Sequence, residues 1–185
     1  MSFPRYGQLF LSTAFALAIS APLQAFELNS SDISEGSTMP KAMEFAGFGC
    51  SGNNQSPALK WTNPPAGTKS FAITAYDPDA PTGSGWWHWL VTDIPANVTQ
   101  LKRGAGSKEG KLPVASRSFS NDYGTMEFGG ACPPEGDGMH RYQFTIWALG
   151  VDKLSVPDNA SSALVGYMLN ANAIEKTRLT ATYHR

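Results

Sequence analysis

Tyr76-Asp77-Pro78-Asp79-Ala80-Pro81-Thr82-Gly83-Ser84-Gly85-Trp86-Trp87-His88-Trp89-Leu90-Val91 is a turn set between two apolar runs. Ser70 to Ala75, before it, reads as a strand, and Trp87 to Asp93, after it, reads as a second. Pro78 and Pro81 hold φ at about −65° and remove two backbone donors, so the turn continues neither as helix nor as ladder. The Asp77 and Asp79 carboxylates are thereby held at the end of a strand. A second stretch has the same character: Gly129-Gly130-Ala131-Cys132-Pro133-Pro134-Glu135-Gly136-Asp137-Gly138-Met139-His140-Arg141-Tyr142. It is again a Gly/Pro loop, and it delivers His140 to an apolar strand running from Tyr142 to Leu149. The two loops are expected to meet and build one small polar pocket.

Strand alternation decides which side chains share that pocket. After Trp87, His88 is expected to face the same way as Leu90, with Trp87, Trp89 and Val91 on the other side. His140 and Tyr142 share a face of the later strand. The expected pocket therefore holds Asp77, His88, His140 and Tyr142, with prolines as walls. Arg117 to Asp122, a polar run, is expected to line it from one side.

The chain has 185 residues, 42% of them apolar and 16% charged, with a net charge of −1. That suffices for one domain with a substantial core. The near-balanced charge argues against a nucleic-acid binder, which works through many phosphate contacts. Eighteen glycines and 13 prolines between short alternating runs point to strands and turns. Phe26 to Ile33 reads as a first strand and Arg178 to Tyr183 as a closing one. Asn159 is placed to cap a helix from about Ala160 to Leu169 with Leu164, Tyr167 and Met168 on one face. Lys102 to Lys111 reads as an exposed loop, without the strand-before and helix-after context of a phosphate-cradling loop.

Residues 1–25 read as a secretory signal. Arg5 is their only charge, Leu9 to Ile19 is an apolar run too short to span a membrane comfortably, and Ala21-Pro22-Leu23-Gln24-Ala25 offers small residues for cleavage, favoured after Ala25. The expected mature domain is 26–185, periplasmic or released, with no stable membrane anchoring after cleavage. In that compartment the even pair Cys50 and Cys132 suggests a disulfide rather than two free thiols.

Two histidines and an aspartate admit several chemistries. Metal binding needs convergent ligands with open positions, and neither a metal nor a cofactor is expected. Acid–base catalysis would use Asp77, His88 and His140 in a small hydrolase or lyase. Anion binding would use imidazole and phenol donors, with Asp77 fixing a tautomer. No nucleophile with an activating base is marked in either loop: Ser84 lacks a nucleophile-elbow pattern. That favours binding over catalysis.

Asp77-Pro78-Asp79-Ala80-Pro81, Trp87-His88-Trp89-Leu90-Val91, and Pro133-Pro134 through Gly138-Met139-His140-Arg141-Tyr142 together resemble the phosphatidylethanolamine-binding protein family, which includes Raf kinase inhibitor-like proteins. The resemblance spans the whole expected mature chain and is to the compact bacterial branch. It implies a mainly β fold, an antiparallel Greek-key β-sandwich with a few short peripheral helices. It implies a pocket for a small phosphorylated or carboxylated ligand at Asp77, Pro81, His88, His140 and Tyr142, with Asp79 and Arg141 bracing the loops. It implies a non-enzymatic binding or regulatory role, with a protein partner of unspecified identity and a monomeric or homodimeric state. Trp87 stands where animal members carry a second histidine, which is expected to make the pocket mouth more aromatic. A Cys50–Cys132 bridge would tie the second loop to the Gly47–Gly52 segment.

Overall fold

The structure, a computed structural model, describes Met1 and residues 24–185. The apolar run Leu9 to Ile19 lies outside the described residues. In chain order the elements are β1 (Glu27–Asn29), a short 3₁₀ turn (Lys41–Met43), β2 (Ala46–Gly47), β3 (Cys50–Ser51), β4 (Leu59–Thr62), β5 (Ser70–Asp77), β6 (Trp86–Pro95), β7 (Gln100–Leu101), β8 (Arg117–Ser118), β9 (His140–Leu149), α1 (Ser162–Asn172) and β10 (Ala173–Tyr183). The large sheet has the order β10-β9-β5-β6-β8, and every pairing in it is antiparallel. A smaller antiparallel sheet, β1-β4-β7, covers one of its faces, and β2-β3 forms a separate hairpin.

Strand β5 is central, and all of its eight residues except Tyr76 are buried. Its nearly continuous burial follows from having a core on each side. Phe71, Ile73 and Ala75 join Leu28, Leu59, Trp61 and Leu101 of the small sheet in the main core. Ala72 joins Leu90, Leu149, Val165 and Leu169 in a second core beneath α1. The architecture is therefore layered, small sheet on large sheet on helix. Each fully buried aromatic or branched side chain in these layers contributes about 1.5–3 kcal/mol.

Two β-bulges break the β5–β6 ladder, one between Phe71 and Ile73 and one between Ala75 and Tyr76. At the second, Ala75 pairs with Trp89 and Tyr76 with Trp87, so His88 is the extra residue. A bulge resets the alternation. His88 consequently turns to the main-core face with Trp89 and Val91, while Leu90 and Trp87 face the helix. The expectation that His88 shares a face with Leu90 is corrected: strict period-2 counting fails across the bulge.

Three element expectations also change. The first strand is shorter than 26–33, because the Ser30 hydroxyl accepts the Asp32 amide at 3.1 Å and turns the chain. The helix starts at Ser162, with Ser161 rather than Asn159 as cap; its hydroxyl accepts the Leu164 amide at 3.2 Å. Its buried face is Val165, Gly166 and Leu169, leaving Leu164 and Tyr167 exposed. Gly166 lets the Trp87 ring approach so closely that a Cβ there would lie 3.3 Å from it. The closing strand begins at Ala173, directly off the helix, and not at Arg178.

Cys50 and Cys132 form a disulfide with Cα atoms 6.0 Å apart, closing 82 residues of chain. It ties the loop before β9 to the β2–β3 hairpin.

Candidate functional site

The Asp77 end of β5, the His88 bulge on β6 and the start of β9 converge on a cavity of about 210 Å³. Asp77, Pro81, His88, His140 and Tyr142 all line it. Its remaining walls include Phe48, Trp86, Tyr123, Pro133 and Pro134, so most of its surface is aromatic or apolar. A larger depression of about 660 Å³ beside the Lys102–Pro113 loop contains no histidine and no buried carboxylate.

The centre of the pocket is a carboxylate–imidazole pair. His140 Nδ1 lies 2.8 Å from Asp77 Oδ2, and both residues are buried. The other ring nitrogen, Nε2, lies 3.2 Å from Asp137 Oδ2 on the partly exposed Gly136-Asp137-Gly138 turn. Burial draws the His140 pKa down, but its bonds to Asp77 and Asp137 outweigh that and raise it above the ordinary imidazole value. A carboxylate at each nitrogen favours the protonated ring, in which both nitrogens donate.

His88 is the opposite case. Nδ1 donates to the Gly129 carbonyl at 2.8 Å, and burial pushes its pKa down. Its ring packs edge-on against Tyr142, centroids 5.1 Å apart, and against Tyr123 at 5.6 Å. Three buried polar atoms of the wall have no partner among the described residues: His88 Nε2, the Tyr142 hydroxyl and Trp86 Nε1. Buried polar atoms are ordinarily paired, and here the unpaired ones belong to three residues that border one cavity. Burial also raises the Tyr142 and Tyr123 pKa values, which keeps both phenols protonated.

An outer layer of contacts fixes this geometry. Asp77 Oδ1 accepts the Asp79 amide at 2.8 Å. Asp79 in turn accepts the Arg141 amide, Nε and Nη2 at 2.9, 2.9 and 2.7 Å, joining the first loop to the second. The Arg141 guanidinium lowers the Asp79 pKa. Asn121, also buried, donates to the His88 and Glu127 carbonyls and accepts the Tyr123 and Thr125 amides. That holds Tyr123 against the pocket, where it stacks on Phe45 at 3.9 Å. Phe48, 73% exposed, sits at the rim on the disulfide-tied hairpin.

Three residues expected at the site lie elsewhere. Trp87 faces α1 and packs on Tyr76 at 4.6 Å; the tryptophan in the pocket wall is Trp86, two residues before His88 and on its side of the strand. Of the Arg117–Asp122 run, Arg117 pairs with Asp93 on the helix side and Phe119 joins the second core, while Asn121 and Asp122 only support the wall. Sequence reasoning missed Trp86, Tyr123 and Phe48: Tyr123 and Phe48 sit in irregular loops where no periodicity marks them, whereas Trp86, two residues before His88, could have been found by alternation.

The family model for phosphatidylethanolamine-binding protein matches residues 29–184. The chain belongs to the phosphatidylethanolamine-binding protein family. It is 52% identical over 177 residues to the UPF0098 protein YbcL of Escherichia coli, covering 95% of this chain and 97% of that one. The crystal structure of E. coli YbcL, described as a member of the mammalian family, superposes with a TM-score of 0.84 at 53% identity, covering 86% of this chain and 98% of that one. The UPF0098 protein YbhB of E. coli is 42% identical over 157 residues, 85% of this chain and 99% of that one. A Mycobacterium tuberculosis protein named putative lipoprotein LppC is 35% identical over 137 residues, 74% of this chain and 63% of that one. As a phosphatidylethanolamine-binding protein family member, the chain has the mainly antiparallel β fold expected from its two loop motifs.

Proposed function

We propose that the protein is an exported, non-enzymatic binding protein whose pocket takes the headgroup of a small phosphorylated or carboxylated ligand, and that the loaded form modulates a protein partner. The observation that carries this reading is the pair of unpartnered donors, Trp86 Nε1 and the Tyr142 hydroxyl, in the wall of a small, mostly aromatic cavity over the Asp77–His140 pair. An acceptor-rich headgroup satisfies them, and the apolar wall takes the rest of the ligand.

The hydrolase or lyase reading finds less support. His140 Nε2, the nitrogen a general base would use, faces Asp137 rather than a hydroxyl or thiol. Thr82 is the one aliphatic hydroxyl bordering the cavity among the described residues, and it donates to the Gly85 carbonyl at 2.5 Å. Export is supported by the apolar run Leu9 to Ile19, the Cys50–Cys132 bridge and the name of the lipoprotein relative.

The test is a calorimetric titration of residues 26–185, oxidised, with inorganic phosphate and phosphorylethanolamine, beside His140→Ala. Binding that the substitution removes is the expected result. Binding that the substitution leaves intact, or no binding by either protein, sinks the pocket as the site.

A further inference from the structure

The three unpartnered atoms of the pocket are not equivalent. Trp86 Nε1–H only donates, and the Tyr142 hydroxyl is free to donate. His88 Nδ1 lies 2.8 Å from the Gly129 carbonyl oxygen, which only accepts, so the ring proton sits on Nδ1. The residue is 3% exposed, and burial disfavours a second proton. The groups whose charge or rings face it are Asp77 from β5, Asp122 and Tyr123 from the loop after β8, and Tyr142 from β9. None of them donates to Nε2. His88 therefore brings a lone pair, not a proton, to the cavity wall.

Resting on the anion reading above, we propose that the pocket selects a tetrahedral oxyanion that still carries a proton, namely a phosphate monoester or inorganic phosphate in its P–OH form. The P–OH donates to His88 Nε2, and the bare oxygens accept from Trp86 Nε1 and the Tyr142 hydroxyl. One group then satisfies all three atoms. An ammonium group satisfies His88 alone and leaves two donors unpaired. Charge points the same way: Asp77 and Asp137 bring two carboxylates to the one His140 ring, so a doubly charged oxyanion meets more repulsion than a singly charged one. Phosphodiesters and sulfate carry no such proton near neutral pH.

A phosphate monoester has a second pKa of about 6, so at pH 8 the free ligand is mostly dianionic and binding must draw a proton from the buffer. Calorimetry at pH 8 in two buffers of different ionisation enthalpy reads that proton. The probes are phosphorylethanolamine, glycerophosphorylethanolamine and sulfate; the first two share an ammonium and differ in the P–OH. The expected result is uptake of about one proton per site and monoester binding tighter than diester or sulfate by about tenfold or more. Inorganic phosphate and a short-chain phosphatidic acid extend the series, and the tighter of the two, binding with proton uptake, supports the proposal and names a soluble or a lipid source. Equal affinity for monoester, diester and sulfate, or binding without proton uptake, overturns the proposal while the anion pocket stands. Failure of every probe removes both.

Discussion

Asp79 accepts three hydrogen bonds from a single residue, Arg141, one from its backbone and two from its guanidinium. The two residues belong to the two Gly/Pro loops, 62 positions apart, and the contact fixes how those loops meet. Arg141 is more than half exposed, so the ion pair itself contributes little; its geometry is what a lysine cannot reproduce. Arg141→Lys is expected to lower the urea midpoint only slightly. It should also broaden the amide resonances of Asp77, Asp79 and Ala80, a readout that a pure stability loss would leave sharp.

The two pocket histidines are expected to titrate in opposite directions. His140, held up by Asp77 and Asp137, contributes stability that is complete below the unfolded imidazole value of about 6.5 and is lost as pH rises through its higher folded value. His88, pushed down by burial, contributes stability present above about 6.5 and lost as pH falls toward its lower folded value. NMR of the ring protons checks both. Two ordinary midpoints would contradict the assignment.

Gly129→Ala should damage the pocket from outside it. A Cβ at this position would lie 2.4 Å from the Tyr123 ring, while the same residue's carbonyl holds His88. Overpacking of this kind costs about 1–3 kcal/mol. Fluorescence of Trp86, whose ring meets Tyr123 edge-on at 5.2 Å, should shift. An unchanged spectrum would mean that Tyr123 is not the wall it is taken to be.

Glu44 is a buried carboxylate that accepts from Lys41, the Ser51 amide and the Tyr183 hydroxyl. Burial opposes its charge, and these three partners outweigh burial and hold its pKa at about 2. The stability it contributes is complete above its unfolded value of 4.5 and disappears as pH falls toward about 2. Glu44→Gln should flatten the acid limb of the stability curve over that window, measured by urea midpoints at successive pH values. A limb of unchanged slope would remove Glu44 from the account.

Reduction of the Cys50–Cys132 bridge is expected to lower stability by about 2–4 kcal/mol, less than the chain-entropy figure of about 4.5 for a loop of this length. It should also free the Phe48 hairpin at the pocket rim, which protease accessibility at Gly47 to Gly49 would report. Protection equal to that of the oxidised form would mean that the Phe45–Tyr123–Phe48 stack alone anchors the hairpin.

Contiguous motifs carried the legible part of this molecule. Asp77, His140 and Tyr142 sit at the ends of long buried strands, each beside a Gly/Pro loop, and that shared character, not their spacing, raised the expectation that the loops meet. Side-chain direction was less legible. One extra residue at His88 resets the parity of β6, so His88 shares a face with Trp89 and not with Leu90. The bulge leaves no mark in a run of three aromatic residues around a histidine. Tyr123 was hidden for a different reason: its position depends on Asn121 bonding the distant His88 carbonyl, a tertiary contact from a loop without periodicity. The helix face was missed although Val165 and Leu169, an apolar i, i+4 pair, mark it; Gly166 between them lets the Trp87 ring approach.

The pocket walls come from the β2–β3 hairpin, the β5–β6 turn, the Tyr123 loop and the start of β9, segments that neighbour one another only in the completed fold. No partly folded chain can present them together. Every occupant is therefore also a ligand-dependent stabiliser of the whole molecule, by about 2.7 kcal/mol at a hundredfold excess over Kd, or roughly 5–11 °C in Tm for a chain of this size. Melting temperature becomes a chemical detector: a library of candidate metabolites can be ranked by heat alone, with no label, no activity assay and no assumption about which compound fits.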